Sequence, residues 1–80
     1  MTVNQLIDKI EKGSDILFDV MGRHFTILTW TDRGIGIDEQ DPHNHGMQYF
    51  PSAEELVHGH LVDGIPLADL TDRIVITDYT

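Results

Sequence analysis

Four of the five histidines of this chain fall in two close pairs, His43-Asn44-His45 and His58-Gly59-His60, with Asp38, Glu39 and Asp41 just upstream of the first. Two residues separated by one converge on an ion when the backbone is extended, and neutral imidazole beside carboxylate suits Zn²⁺, Ni²⁺ or similar ions. His43, His45, His58 and His60 are therefore the candidate metal ligands. The competing reading is structural: histidines scattered over loops and a helix end, where His58 and His60 suit the negative C-terminal dipole of a helix. No other motif implies a cofactor. The absence of cysteine excludes disulfides, thiolate zinc sites and thiol nucleophiles.

Catalytic patterns are harder to assemble. General acid-base work by His and Asp needs a pocket, and 80 residues leave little interior to build one. Of the two serines, Ser52 reads as a helix N-cap and Ser14 as a turn residue after Gly13, and neither lies in a nucleophile elbow. Gly34-Ile35-Gly36 lacks the later glycine, the lysine and the strand-to-helix setting of a phosphate loop, so two hairpin glycines explain it better. The expectation is a chain that is not an enzyme.

Charge gives the strongest lead to partners. The net charge is −9, and it is unevenly spread: Gly34 to Thr80 holds nine carboxylates and one base, Arg73, whereas Met1 to Arg33 holds five acids and four bases. A one-signed surface repels nucleic acid backbones and anionic lipids and attracts basic proteins or metal ions. With only five basic residues, none in a run, direct nucleic-acid binding is disfavoured. The reverse idea, an acidic surface that imitates nucleic acid in the groove of a DNA-binding protein, needs carboxylates arrayed along one surface. Met1 to Lys12 interleaves charges with apolar residues, unlike a signal peptide, and nothing approaches the roughly 20 apolar residues of a membrane span. No membrane partner is expected.

These groups must be positioned by a small set of elements. Thr2 reads as an N-cap, and Val3, Leu6, Ile7 and Ile10 at i, i+3, i+4 and i+7 predict an amphipathic helix over Val3 to Lys12, stopped by Gly13. Ile16, Phe18 and Val20, then Phe25, Ile27 and Thr29, alternate with their neighbours as two strands. Between them Asp19-Val20-Met21-Gly22 reads as a type I turn with a left-handed glycine in a three-residue hairpin, which would set Asp19 opposite Arg23. Thr31-Asp32-Arg33-Gly34 repeats that punctuation and leads to a third strand, in which Gly36 leaves a gap for a bulge or a close neighbour. Asp38 to Gly46 reads as the longest loop, and Met47 to Phe50 as a fourth strand. Ser52-Ala53-Glu54-Glu55 is a capping box opening a helix to about His58. Asp63-Gly64 is a turn, Pro66 to Leu70 a single helical turn, and Arg73 to Asp78 a final strand with Ile74 and Ile76 on one face.

The order predicts one small domain, residues 1–80, of the α+β class: an antiparallel sheet of three to five strands with two helices on one face. Phe18, Phe25, Trp30 and Phe50 are expected in the core, because a short chain needs its large side chains inside. Trp30, Tyr49 and Phe50 are the alternative anchor patch for a partner. If Ile16, Phe18, Ile27, Ile74 and Ile76 face the helices, then among Leu17, Leu28 and Val75 some point to the open face of the sheet, a surface for a second copy or another protein. The candidate interaction residues are Leu17, Leu28, Asp38, Glu39 and Asp41. A protein partner leads, a basic protein or a second copy, followed by a metal-binding domain and then the nucleic-acid mimic.

Thr29-Trp30-Thr31-Asp32-Arg33-Gly34-Ile35, Tyr49-Phe50-Pro51-Ser52-Ala53-Glu54-Glu55-Leu56 and Asp63-Gly64-Ile65-Pro66-Leu67-Ala68-Asp69-Leu70 together resemble a group of short uncharacterised proteins from Gram-positive bacteria and their phages. The resemblance implies a cytoplasmic bacterial or prophage-encoded protein and supplies neither an activity nor a site residue. Both histidine pairs lie outside those stretches.

Overall fold

The computed structural model describes residues 1–13, 15–40 and 46–79, and at Trp30 the backbone alone. Helix α1 (Val3–Lys12) is closed at its start by a reciprocal cap: the Thr2 hydroxyl accepts from the Gln5 backbone at 3.1 Å, and the Gln5 side chain accepts from the Thr2 backbone at 2.8 Å. Leu6 and Ile10 carry its buried stripe. The chain then forms β1 (Asp15–Val20), β2 (Arg23–Thr31), β3 (Gly34–Glu39) and β4 (Gln48–Phe50). Ser52 caps α2 (Ala53–Gly59), its hydroxyl accepting from the Glu55 backbone at 3.1 Å. A short hairpin of β5 (Leu61–Val62) and β6 (Ile65–Pro66), a 3-10 turn (Leu67–Asp69) and β7 (Val75–Tyr79) complete the fold.

Five strands make one antiparallel sheet in the order β4-β3-β2-β1-β7, with both helices on one face. The α+β expectation holds, and the meander β1-β2-β3-β4 follows chain order. The placement of β7 beside β1 does not follow from chain order: the last strand crosses back to the first. Burial tracks the strand period, since Ile16, Phe18, Val20, Phe25, Ile27 and Ile37 are buried against Leu6, Ile10, Leu56 and Val57. Phe18 and Phe25 stack at 5.3 Å between ring centroids. Phe50 and Ile76 are half-buried at the margin of this core, and Ile74 lies within it. The Trp30 side chain lies outside the described residues.

The first hairpin departs from expectation, with consequences for charge pairing. Val20 pairs with Arg23, leaving Met21 and Gly22 as a two-residue turn with φ of 51° and 75°. That is the type I′ geometry, whose twist matches the strands it joins, rather than a type I turn begun by Asp19. The register moves by one residue: Asp19 faces His24, not Arg23. Their side chains meet at 2.5 Å, Nδ1 to Oδ1. Arg23 instead points to the helix side.

Candidate functional site

Residues directly opposite one another across strands share a face of the sheet. Leu17 lies opposite Thr26 on β2 and Asp78 on β7, and Thr26 lies opposite Asp38 on β3. In the next row Asp15 opposes Leu28, Leu28 opposes Gly36, and Gly36 opposes Tyr49 on β4. On the other side of the Leu17 row, Asp19 stands between His24 and Val75. All three rows occupy the face turned away from the helices, because their sequence neighbours are the buried core residues.

Gly36 makes this face continuous. A Cβ at that position would collide with the Met47 side chain and meet the Tyr49 ring at 3.3 Å. The gap expected at Gly36 is thus occupied by a close neighbour, and Met47 lies in it beside Tyr49. Leu17, Leu28 and Met47 are half-buried, whereas Tyr49 is 39% and Val75 61% exposed. Around this apolar strip stand the carboxylates Asp15, Asp19, Asp38 and Asp78, against two bases. His24 pairs with Asp19, and the Arg33 guanidinium lies 5.5 Å from the centre of the Tyr49 ring. The arrangement combines apolar area with predominantly negative charge.

The sequence-derived interaction residues divide accordingly. Leu17, Leu28 and Asp38 come together on this face. Glu39 does not: it is 7% exposed on the helix side, where Arg23 donates to both its carboxylate oxygens at 2.7 and 2.5 Å. Strand alternation sends consecutive residues Asp38 and Glu39 to opposite faces, which the loop reading of this segment missed. Asp41 lies outside the described residues. Asp15, Asp19, Asp78 and Met47 were not anticipated. For Asp15 and Asp19 a signal existed, since both stand two residues from Leu17 on the same strand.

The metal candidates do not gather among the described residues. His43 and His45 lie outside them, and no group of three or more metal-ligating side chains forms within them. His58 is exposed in the last turn of α2. The His60 ring is packed edge-on against Phe25 at 5.5 Å, with Nδ1 at 2.9 Å from the Gln48 side-chain oxygen and Nε2 buried. Burial lowers its pKa, with Glu39 raising it and Arg23 lowering it in turn. A cleft of about 360 Å³ adjoins this group, lined by Arg23, Glu39, Met47, Gln48 and His60 among others. Its charges are already matched, for Arg23 also donates to Asp63 at 2.7 Å and its pKa is raised, chiefly by the Glu39 hydrogen bond. Burial thus favours the neutral form of the His60 imidazole, which lines this cleft.

Comparison with known proteins finds no matching family model, curated protein or solved structure. Among the described residues no helix is long and apolar enough to cross a membrane.

Proposed function

We propose that this protein is a non-enzymatic interaction module, a cytoplasmic bacterial or prophage-encoded accessory factor that binds a basic protein partner through the open face of its sheet. One observation carries the reading: Leu17, Leu28, Met47, Tyr49 and Val75 lie on one face with Asp15, Asp19, Asp38 and Asp78 among them. Apolar area supplies affinity, and the carboxylates select and orient a cationic surface. A second copy of the chain fits less well, because it would set the same carboxylates against each other. The interleaving of apolar residues with acids also favours a partner with a mixed apolar and basic surface over a purely basic nucleic-acid groove.

The test compares wild type with Leu28→Lys as immobilised bait. Leu28 is half-buried on the open face, so the variant is expected to keep its fold by circular dichroism. It is expected to lose basic proteins that wild type captures at low salt and releases as screening rises. Capture of the same proteins by both baits would remove the open face as the binding surface.

A further inference from the structure

The polar groups that weaken this small core gather at one cleft. It measures about 360 Å³ and lies where β3 and β4 meet the end of α2, with Phe25, Ile37 and Leu61 among its walls. Glu39 lines it, and among the described residues Glu39 is the one charged side chain that is buried. A buried ion pair such as that of Arg23 with Glu39 adds little net stability, because desolvation offsets most of the attraction. His60 lines the same cleft, and its Nε2 is buried with neither donor nor acceptor in reach. A ring nitrogen in that position costs stability outright. Groups of this kind, converging on one cavity in an otherwise apolar interior, are what a binding site leaves in a fold.

The hydrogen bonds already made define what the cleft lacks. The Gln48 side-chain oxygen accepts from His60 Nδ1 at 2.9 Å, so Nδ1 carries the proton and Nε2 the lone pair. Burial lowers the pKa of the ring and keeps it in this neutral form. Nε2 therefore needs a donor. No ion is needed: Arg23 donates Nε and both terminal nitrogens to Glu39 and Asp63, so an entering cation is repelled by the guanidinium and an entering anion by the carboxylates. Nε2 is enclosed, and a donor reaches it as a wall side chain moves aside. Leu61, 54% exposed, is the freest of those walls.

We infer that this cleft binds a neutral small molecule that donates an N–H or O–H hydrogen bond to His60 Nε2 and rests its apolar body on Phe25, Ile37 and Leu61. The site is independent of the open face, since Phe25, Ile37 and Glu39 occupy the opposite side of the sheet. A molecule of the same shape without the donor leaves Nε2 unpartnered and binds more weakly, which gives the site its selectivity.

The experiment uses the whole chain, ¹⁵N-labelled, with indole and phenol as probes and 1-methylindole and anisole as controls that lack the donor. A probe is expected to give saturable amide shifts at Gln48, His60 and Leu61, to move the His60 Nε2 ring resonance, and to bind about tenfold or more tighter than its control. His60→Phe removes the unpartnered nitrogen and keeps a ring in place, so its melting temperature is expected to hold or rise while probe and control bind alike. Should that variant not fold, the Nε2 resonance of wild type decides by itself. Equal affinity of each probe and its control for wild type would overturn the inference. So would an unmoved Nε2 resonance at saturation, shifts confined to Leu17, Thr26 and Leu28 on the open face, or no saturable shift with either probe up to its solubility limit.

Discussion

Arg23 joins parts of the chain that are far apart in sequence, holding Glu39 by two hydrogen bonds and Asp63 by a third. Its guanidinium also lies 5.8 Å from the centre of the Phe25 ring, and His60 packs on that ring from another direction. The group sits where the sheet meets α2 and the β5-β6 hairpin, so its electrostatics are tied to folding. Burial is the main reason the His60 pKa is lowered from 6.5, which makes neutral imidazole the form the fold prefers. Above pH 6.5 the unfolded chain is also neutral at this position, and the full stability is present. As pH falls through that value the unfolded chain takes up the proton first, and stability is lost until the lower folded-state pKa is passed. The urea midpoint is accordingly expected to fall between pH 7.5 and 5.5, and to fall less in His60→Gln. Equal losses in the two proteins would assign the acid sensitivity to carboxylates instead.

At the scale of elements, the β1-β2 hairpin decides more than its size suggests. A two-residue turn fixes the register that puts Asp19 opposite His24 and aims Arg23 at Glu39, whereas the three-residue reading would have set Asp19 against Arg23. The turn carries a cost at Met21, whose φ of 51° is a conformation that side chains other than Asn, Asp and Gly adopt with difficulty. Met21→Asn is expected to raise stability by about 0.5–1 kcal/mol in urea unfolding, without altering the pairing of β1 with β2. A loss of stability would mean that the Met21 side chain contributes more than its backbone conformation costs. The capped helices make the opposite case: the Thr2 and Ser52 hydroxyls cap as the sequence predicts, because a cap needs only the next three residues, although Glu55 accepts from the Ser52 hydroxyl instead of closing a full capping box.

For the whole molecule, a net charge of −9 spread over 80 residues means that folding draws like charges together. The described ion pairs relieve this only in part, since that of Lys12 with Asp8 is exposed. Raising NaCl from about 10 mM to about 150 mM shortens the screening length to roughly 8 Å and is expected to raise the melting temperature. The same change is expected to weaken a basic partner. Opposite responses of stability and binding to one variable would separate self-repulsion from attraction to a partner, and a melting temperature that fell with salt would contradict the self-repulsion argument.

The amino-acid sequence by itself determined the element types and most of their limits: α1 over Val3–Lys12, the capped second helix, and the turns at Gly34 and Asp63-Gly64. It also identified Leu17, Leu28 and Asp38 as residues of interest. All of these follow from periodicity and from contacts within a few residues, which short-range sterics and hydrogen bonding enforce. Tertiary structure alone decided that β7 lies beside β1, that Asp15, Asp19, Asp38 and Asp78 share a face, and that Glu39 turns inward to Arg23. Strand order and register between distant segments are set by how the buried faces of all the elements close over one core, and a single residue of register exchanges the faces of a strand. The acidic half of the sequence therefore did not become an acidic half of the protein. Asp15 and Asp19 from the mixed half join Asp38 and Asp78 on one face, while Glu39 is withdrawn into the opposite one.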